Sequence, residues 1–137
     1  MPNHFHLLIQ ESKEGGVSAY IQRIEIAYTK YFNTKYKRSG YLFQGPFRSV
    51  HVNSNRQLLY LSAYIHRNPR EMKKWQDKEH IYPWSSYQDI VKENRWGELL
   101  KYQAITEQFA SPEEYKEFVK TSKAKELKSE FLIDIDN

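Results

Sequence analysis

The chain has 137 residues with 39% hydrophobic, 28% charged and 15% aromatic content, which is the composition of a folded globular domain rather than a disordered segment. It contains no cysteine, so disulfides and thiolate metal sites are excluded; no apolar run reaches membrane-spanning length, and the first residues lack a basic region followed by a greasy stretch. A cytoplasmic location and no membrane partner are therefore expected. The net charge of +4 is unevenly placed: residues 1–75 carry 12 Lys/Arg against 4 Asp/Glu, and residues 76–137 carry 9 against 13. A basic half rich in Tyr suits a polyanion, since cations neutralise phosphates and aromatic faces stack on unpaired bases. The plain alternative is an ordinary Lys-rich solvated face.

The opening run, "MPNHFHLLIQ", reads as a strand. Alternate side chains of a strand share a face, so His4 and His6 project together while Phe5 points the other way. Two imidazoles side by side can hold a divalent metal; a strand edge with two solvated histidines is the simpler reading of the pair taken alone. After the polar loop "ESKEGG", Val17, Ile21, Ile24, Tyr28, Tyr31 and Phe32 recur at helical spacing and predict an amphipathic helix from Val17 to Tyr36. Lys30, Lys35, Lys37 and Arg38 crowd its C-terminal end, where cations complement the helix dipole. Gly40, Gly45 and Pro46 break the next stretch into a loop, and "FRSVHVN" at 47–53 alternates as a second strand. Ser54 or Asn55 can cap a helix running to Arg67, with Pro69 ending it. Residues 70–83 read as loop, "WSSYQDIVKE" as a short helix capped by Ser85 or Ser86, and Ser111-Pro112-Glu113-Glu114 as a capping box opening a helix to Lys123. The charged segment 124–137 reads as a disordered tail, after a core over 1–92 and a helical extension over 93–123.

The helix ending at Arg67 concentrates the chemistry. Leu58, Leu61 and Ile65 form a core stripe, and Tyr60, Tyr64 and Asn68 form a second one at four-residue spacing, so a phenol and a carboxamide one turn apart can approach the same point. A metal held by His4 and His6 would take Asn68 as an oxygen ligand, while Tyr64 offers a nucleophile to a phosphate that the ion polarises. Nitrogen and oxygen ligands without sulfur suit Mg²⁺ or Mn²⁺. Taken singly, each element has an ordinary reading: Tyr beside a core stripe is usually packing, and Asn before Pro usually ends a helix.

Taken together, "PNHFHLLI", "YTKYFNTKYKRSGYLFQGPFRSVHV", "LLYLSAYIHRNP" and "YPWSSYQDI" resemble the REP-associated tyrosine transposases. These are HUH endonucleases related to the single-tyrosine insertion-sequence transposases. A weaker likeness continues through residues 105–119. The resemblance implies an α/β fold with a ferredoxin-like antiparallel sheet and packed helices. It implies metal-binding His4 and His6, the nucleophile Tyr64, and Asn68 completing the metal site. The implied reaction is metal-dependent cleavage of single-stranded, hairpin-forming repeat DNA through a covalent 5′-phosphotyrosine. Lys35, Lys37, Arg38, Arg48, Arg67 and Arg70 are the phosphate contacts expected of the basic half. Relatives carry a strand, a helix and a strand before the HUH strand, and the sequence begins at "MPNH", so the sheet is expected to be incomplete at its N-terminus. The alternative function is a truncated, non-catalytic nucleic-acid-binding remnant. A hydrolase that activates water ranks last, because no Asp or Glu lies near either histidine in sequence to serve as base. The sequence is compatible with a monomer or a homodimer.

Overall fold

A computed structural model describes residues 3–123. The expected disordered tail over 124–137 lies outside the described residues. Those described divide into two units, Leu8–Ser49 and a second that joins the stretch up to Leu7 to the chain from Val50 onward.

The first of these is built on one long helix, α1 (Gly16–Tyr36), within one residue of the expected start. Gly15 precedes it at φ 73°, a left-handed conformation open to glycine at little cost, and the Glu11 carboxylate accepts from the Val17 backbone N–H at 3.2 Å. Of its apolar residues only Ile21 is buried; Ile24 and Phe32 are half-buried, and Tyr28 and Tyr31 remain exposed. Aromatic contacts run along it instead: Phe32 meets Tyr36 at 4.5 Å between ring centroids, and Tyr28 meets both Phe32 and Phe43.

The second unit holds the core. Helix α2 (Asn55–Arg67) begins where the sequence predicts, with the Ser54 hydroxyl accepting from the Gln57 N–H at 3.2 Å. Beyond Arg67 the chain continues as a 3₁₀ turn over Asn68–Glu71, because Pro69 has no N–H to continue the α-helical ladder. Further 3₁₀ turns precede α3 (Tyr87–Val91) and α4 (Gln103–Thr106). Last comes α5 (Pro112–Thr121), its N-terminus capped by Ser111 as the capping box predicts and its end two residues short of the expected Lys123. Helix α5 packs against α2 and α3, and Leu61, Ala63, Tyr64, Tyr87, Ile90, Tyr115 and Val119 are the buried apolar residues of this unit's helices.

The expected ferredoxin-like antiparallel sheet is not present: among the described residues there is no β-strand. Neither 4–10 nor 47–53 makes a backbone ladder with another described segment. A strand is defined by its neighbour, and period-two side-chain alternation supplies only half of that condition. The alternation itself survives in the first segment, where Phe5, Leu7 and Ile9 are exposed while His6 and Leu8 are half-buried.

Candidate active site and basic surface

Four of the chemistry-bearing residues lie in the second unit. His4 and His6 are edge-to-face, 5.1 Å between ring centroids and 82° apart in plane, so the two imidazoles do sit side by side. The His6 ring in turn meets Tyr64 edge-on at 5.8 Å. His4 is exposed and its Nδ1 donates to the Asn3 side-chain oxygen at 2.9 Å. Tyr64 is only 6% exposed, held on the inner face of α2. Asn68, one turn on, is 4% exposed, and its Nδ2 has no hydrogen-bond partner among the described residues. Tyr60, on the same helical stripe, faces elsewhere: its ring packs on Phe118 of α5 at 5.7 Å. The structure thus separates the two tyrosines that the sequence leaves equivalent.

The donor chemistry is limited. No group of three or more His, Cys, Asp or Glu capable of holding a metal occurs among the described residues. Any ion near His4 and His6 would therefore complete its shell with neutral oxygens and with substrate or water. Of the Asn68 carboxamide only Oδ1 can ligate a cation; its unpartnered Nδ2 is a hydrogen-bond donor and fits an acceptor, such as a phosphate oxygen, rather than an ion.

The six cations divide by environment. Lys35, Lys37, Arg38 and Arg48 are exposed in the first unit. The Lys35 ammonium donates to the Tyr31 hydroxyl at 3.0 Å and lies over the Tyr31 and Tyr36 rings, and the Tyr31 hydrogen bond raises its pKa above the ordinary lysine value. The Arg38 guanidinium lies over Phe32 and donates to the Tyr41 carbonyl at 3.1 Å. Arg67 and Arg70, in the second unit, are half-buried and engaged by the fold: Arg67 donates to the Ser122 carbonyl, and Arg70 pairs with the buried Glu79 and, at 3.9 Å, with Asp77.

Sequence reasoning missed His66. It is fully buried between α2, α3 and α5, and burial pushes its imidazole down to about 3, so the ring is neutral at physiological pH. Both ring nitrogens are satisfied, Nδ1 with the Tyr115 hydroxyl at 2.7 Å and Nε2 with the Ser86 hydroxyl at 3.0 Å. Nothing in the sequence distinguishes this residue from a solvated cation in the last turn of a helix.

Residues 1–68 match the family model described as transposase IS200 like, a segment that contains His4, His6, Tyr64 and Asn68. That match supports a transposase-like function in general, with DNA as the partner. No curated protein and no solved structure gave a match. No helix among the described residues is long and apolar enough to cross a membrane.

Proposed function

We propose that this protein is a single-strand DNA nuclease and strand transferase of the HUH type, allied to the REP-associated tyrosine transposases, and that Tyr64 is its nucleophile. The observation that carries the reading is the contact of the His6 ring with Tyr64, 5.8 Å between centroids, with His4 beside His6. The family match over the same residues supports it.

In this reading His4, His6 and Asn68 hold Mg²⁺ or Mn²⁺. The ion, when bound, supplies Lewis acidity to the phosphoryl oxygens. Tyr64 loses its phenolic proton and its oxygen bonds to phosphorus as the phosphorus–3′-oxygen bond breaks. The freed 3′-oxygen takes up a proton, and the 5′-phosphate stays esterified to the protein until a 3′-hydroxyl reverses the step. Hairpin-forming DNA with unpaired flanks is the substrate, and Lys35, Lys37, Arg38 and Arg48 are its phosphate contacts.

One observation favours a second reading, binding without cleavage: a nucleophile 6% exposed must become more accessible before it can reach phosphorus. Incubation with hairpin single-stranded DNA and Mn²⁺ separates the two. Transesterification gives a covalent protein–DNA adduct that Tyr64→Phe abolishes and Tyr60→Phe spares. Adduct persisting in Tyr64→Phe refutes the assignment, and its absence in the native protein leaves only the binding reading.

A further inference from the structure

We propose that Tyr41 is a base-stacking residue, presented on a clasped loop to bind an unpaired nucleobase of single-stranded DNA. This rests on the reading of the basic unit as a DNA surface and is independent of the Tyr64 chemistry.

Tyr41 is 94% exposed, so its ring contributes nothing to a core. Yet the backbone that carries it is tied down. Helix α1 ends when Lys37 adopts φ 51°, and the Arg38 N–H returns to the Asn33 carbonyl at 3.0 Å. Two side chains then reach forward from the helix end: Asn33 donates to the Gly40 carbonyl at 2.9 Å, and Arg38 to the Tyr41 carbonyl at 3.1 Å. Gly40, at φ +90°, makes the turn between them, in a region that L side chains rarely adopt. Successive carbonyls are thus held toward the helix while the phenol ring extends into solvent.

The surroundings select the occupant. Residues 26–49 contain five Lys/Arg and no Asp or Glu, so the ring emerges from a strictly cationic stretch. Lys35 and Arg38 are already seated on aromatic faces of α1, which places positive charge beside flat apolar surface. Cations that track a phosphate backbone, interleaved with rings that accept bases, are the physical requirements of a single-strand platform. A duplex hides its base faces and can use the charge alone. An acidic polypeptide offers charge without a rigid planar partner.

The test measures binding to a fluorescent oligothymidylate of about twelve nucleotides, a length typical of one single-strand platform, in the presence of EDTA so that no cleavage chemistry contributes. Tyr41→Ala is expected to weaken binding about tenfold, one stacked base's share. Tyr41→Trp is expected to retain affinity and to show indole fluorescence quenched by the bound oligonucleotide. Affinity for a blunt duplex of the same length should change less than twofold in Tyr41→Ala. The proposal is overturned if Tyr41→Ala leaves oligothymidylate affinity unaltered, if it weakens duplex binding equally, or if polyglutamate competes as well as oligothymidylate does. A protein that stacks bases through Tyr41 but forms no Tyr64 adduct would uphold this inference and reject the transferase reading.

Discussion

The His66 imidazole lies flat on the Tyr87 ring, 5.0 Å between centroids and 8° from parallel, while its two nitrogens meet hydroxyls from different elements. The hydrogen bonds have one consistent direction. Tyr115 donates to Ser62, and Ser62 donates to the Leu59 carbonyl, so the Tyr115 oxygen must accept from His66 Nδ1–H, and Nε2 must accept from Ser86. This is the neutral tautomer that burial favours. The chain of donors fixes α2, which bears Tyr64 two residues earlier, against α3 and α5.

Removing that link should loosen the core. His66→Phe keeps the stacked ring but deprives Tyr115 and Ser86 of their partner, and a loss of about 2 kcal/mol is expected in urea unfolding. Tyr115→Phe should cost about 1 kcal/mol. The double variant should cost less than the two together, since the pair shares one bond. Additive losses would show that the contact contributes nothing.

Asp89 gives a pH signature. Its side chain is fully buried and accepts from Arg95 Nε at 2.7 Å, Nη2 at 2.8 Å and the backbone N–H at 3.0 Å. The Arg95 side-chain hydrogen bonds hold its carboxyl below the usual aspartate range. The unfolded chain therefore binds this proton more readily than the folded one. The contribution is complete above about pH 4, the ordinary aspartate value, and is lost as pH falls through the folded pKa. Asp89→Asn should cost about 2 kcal/mol at neutral pH and flatten the acid limb of the stability curve. Arg95 also bonds the Pro83 and Ser85 carbonyls that flank the exposed Trp84, so this variant should alter the environment of Trp84 and shift the emission of the protein.

Helix caps supply a smaller, local test. Ser54→Ala and Ser111→Ala each remove a hydroxyl that accepts from a first-turn N–H, and each should cost about 1 kcal/mol in thermal unfolding. Replacement by Asp should restore most of it, because a carboxylate accepts the same bond and complements the helix dipole.

Metal binding can be read apart from catalysis. Mn²⁺ titration followed by electron paramagnetic resonance should find one site, weakened at least tenfold in His4→Ala and in His6→Ala. Asn68→Leu should weaken it less, because it removes a neutral oxygen rather than an imidazole. Unaltered Mn²⁺ affinity in both histidine variants would remove the metal from the proposal.

The helices were legible because their signals are local. Apolar spacing places α1, hydroxyl caps place the starts of α2 and α5, and a proline marks the end of α2, and those boundaries agree with the structure to within two residues. The strands were not, because residues 4–10 and 47–53 carry the right alternation but need a partner that their own residues do not encode. The site was legible in part: spacing brings His4 beside His6, but only the fold sets Tyr64 against His6 and turns Tyr60 onto Phe118.

By itself, then, the amino-acid order determined the helical segments, the cationic stretch around α1 and the residue types able to do the chemistry, since each depends on neighbours within a turn or two. Tertiary structure alone decided which tyrosine meets a histidine, and it drew Arg67 and Arg70 into the fold rather than toward solvent. It also made His66 a buried neutral hub. Those outcomes depend on desolvation and on contacts between residues far apart in the chain, and neither is a property of any local pattern.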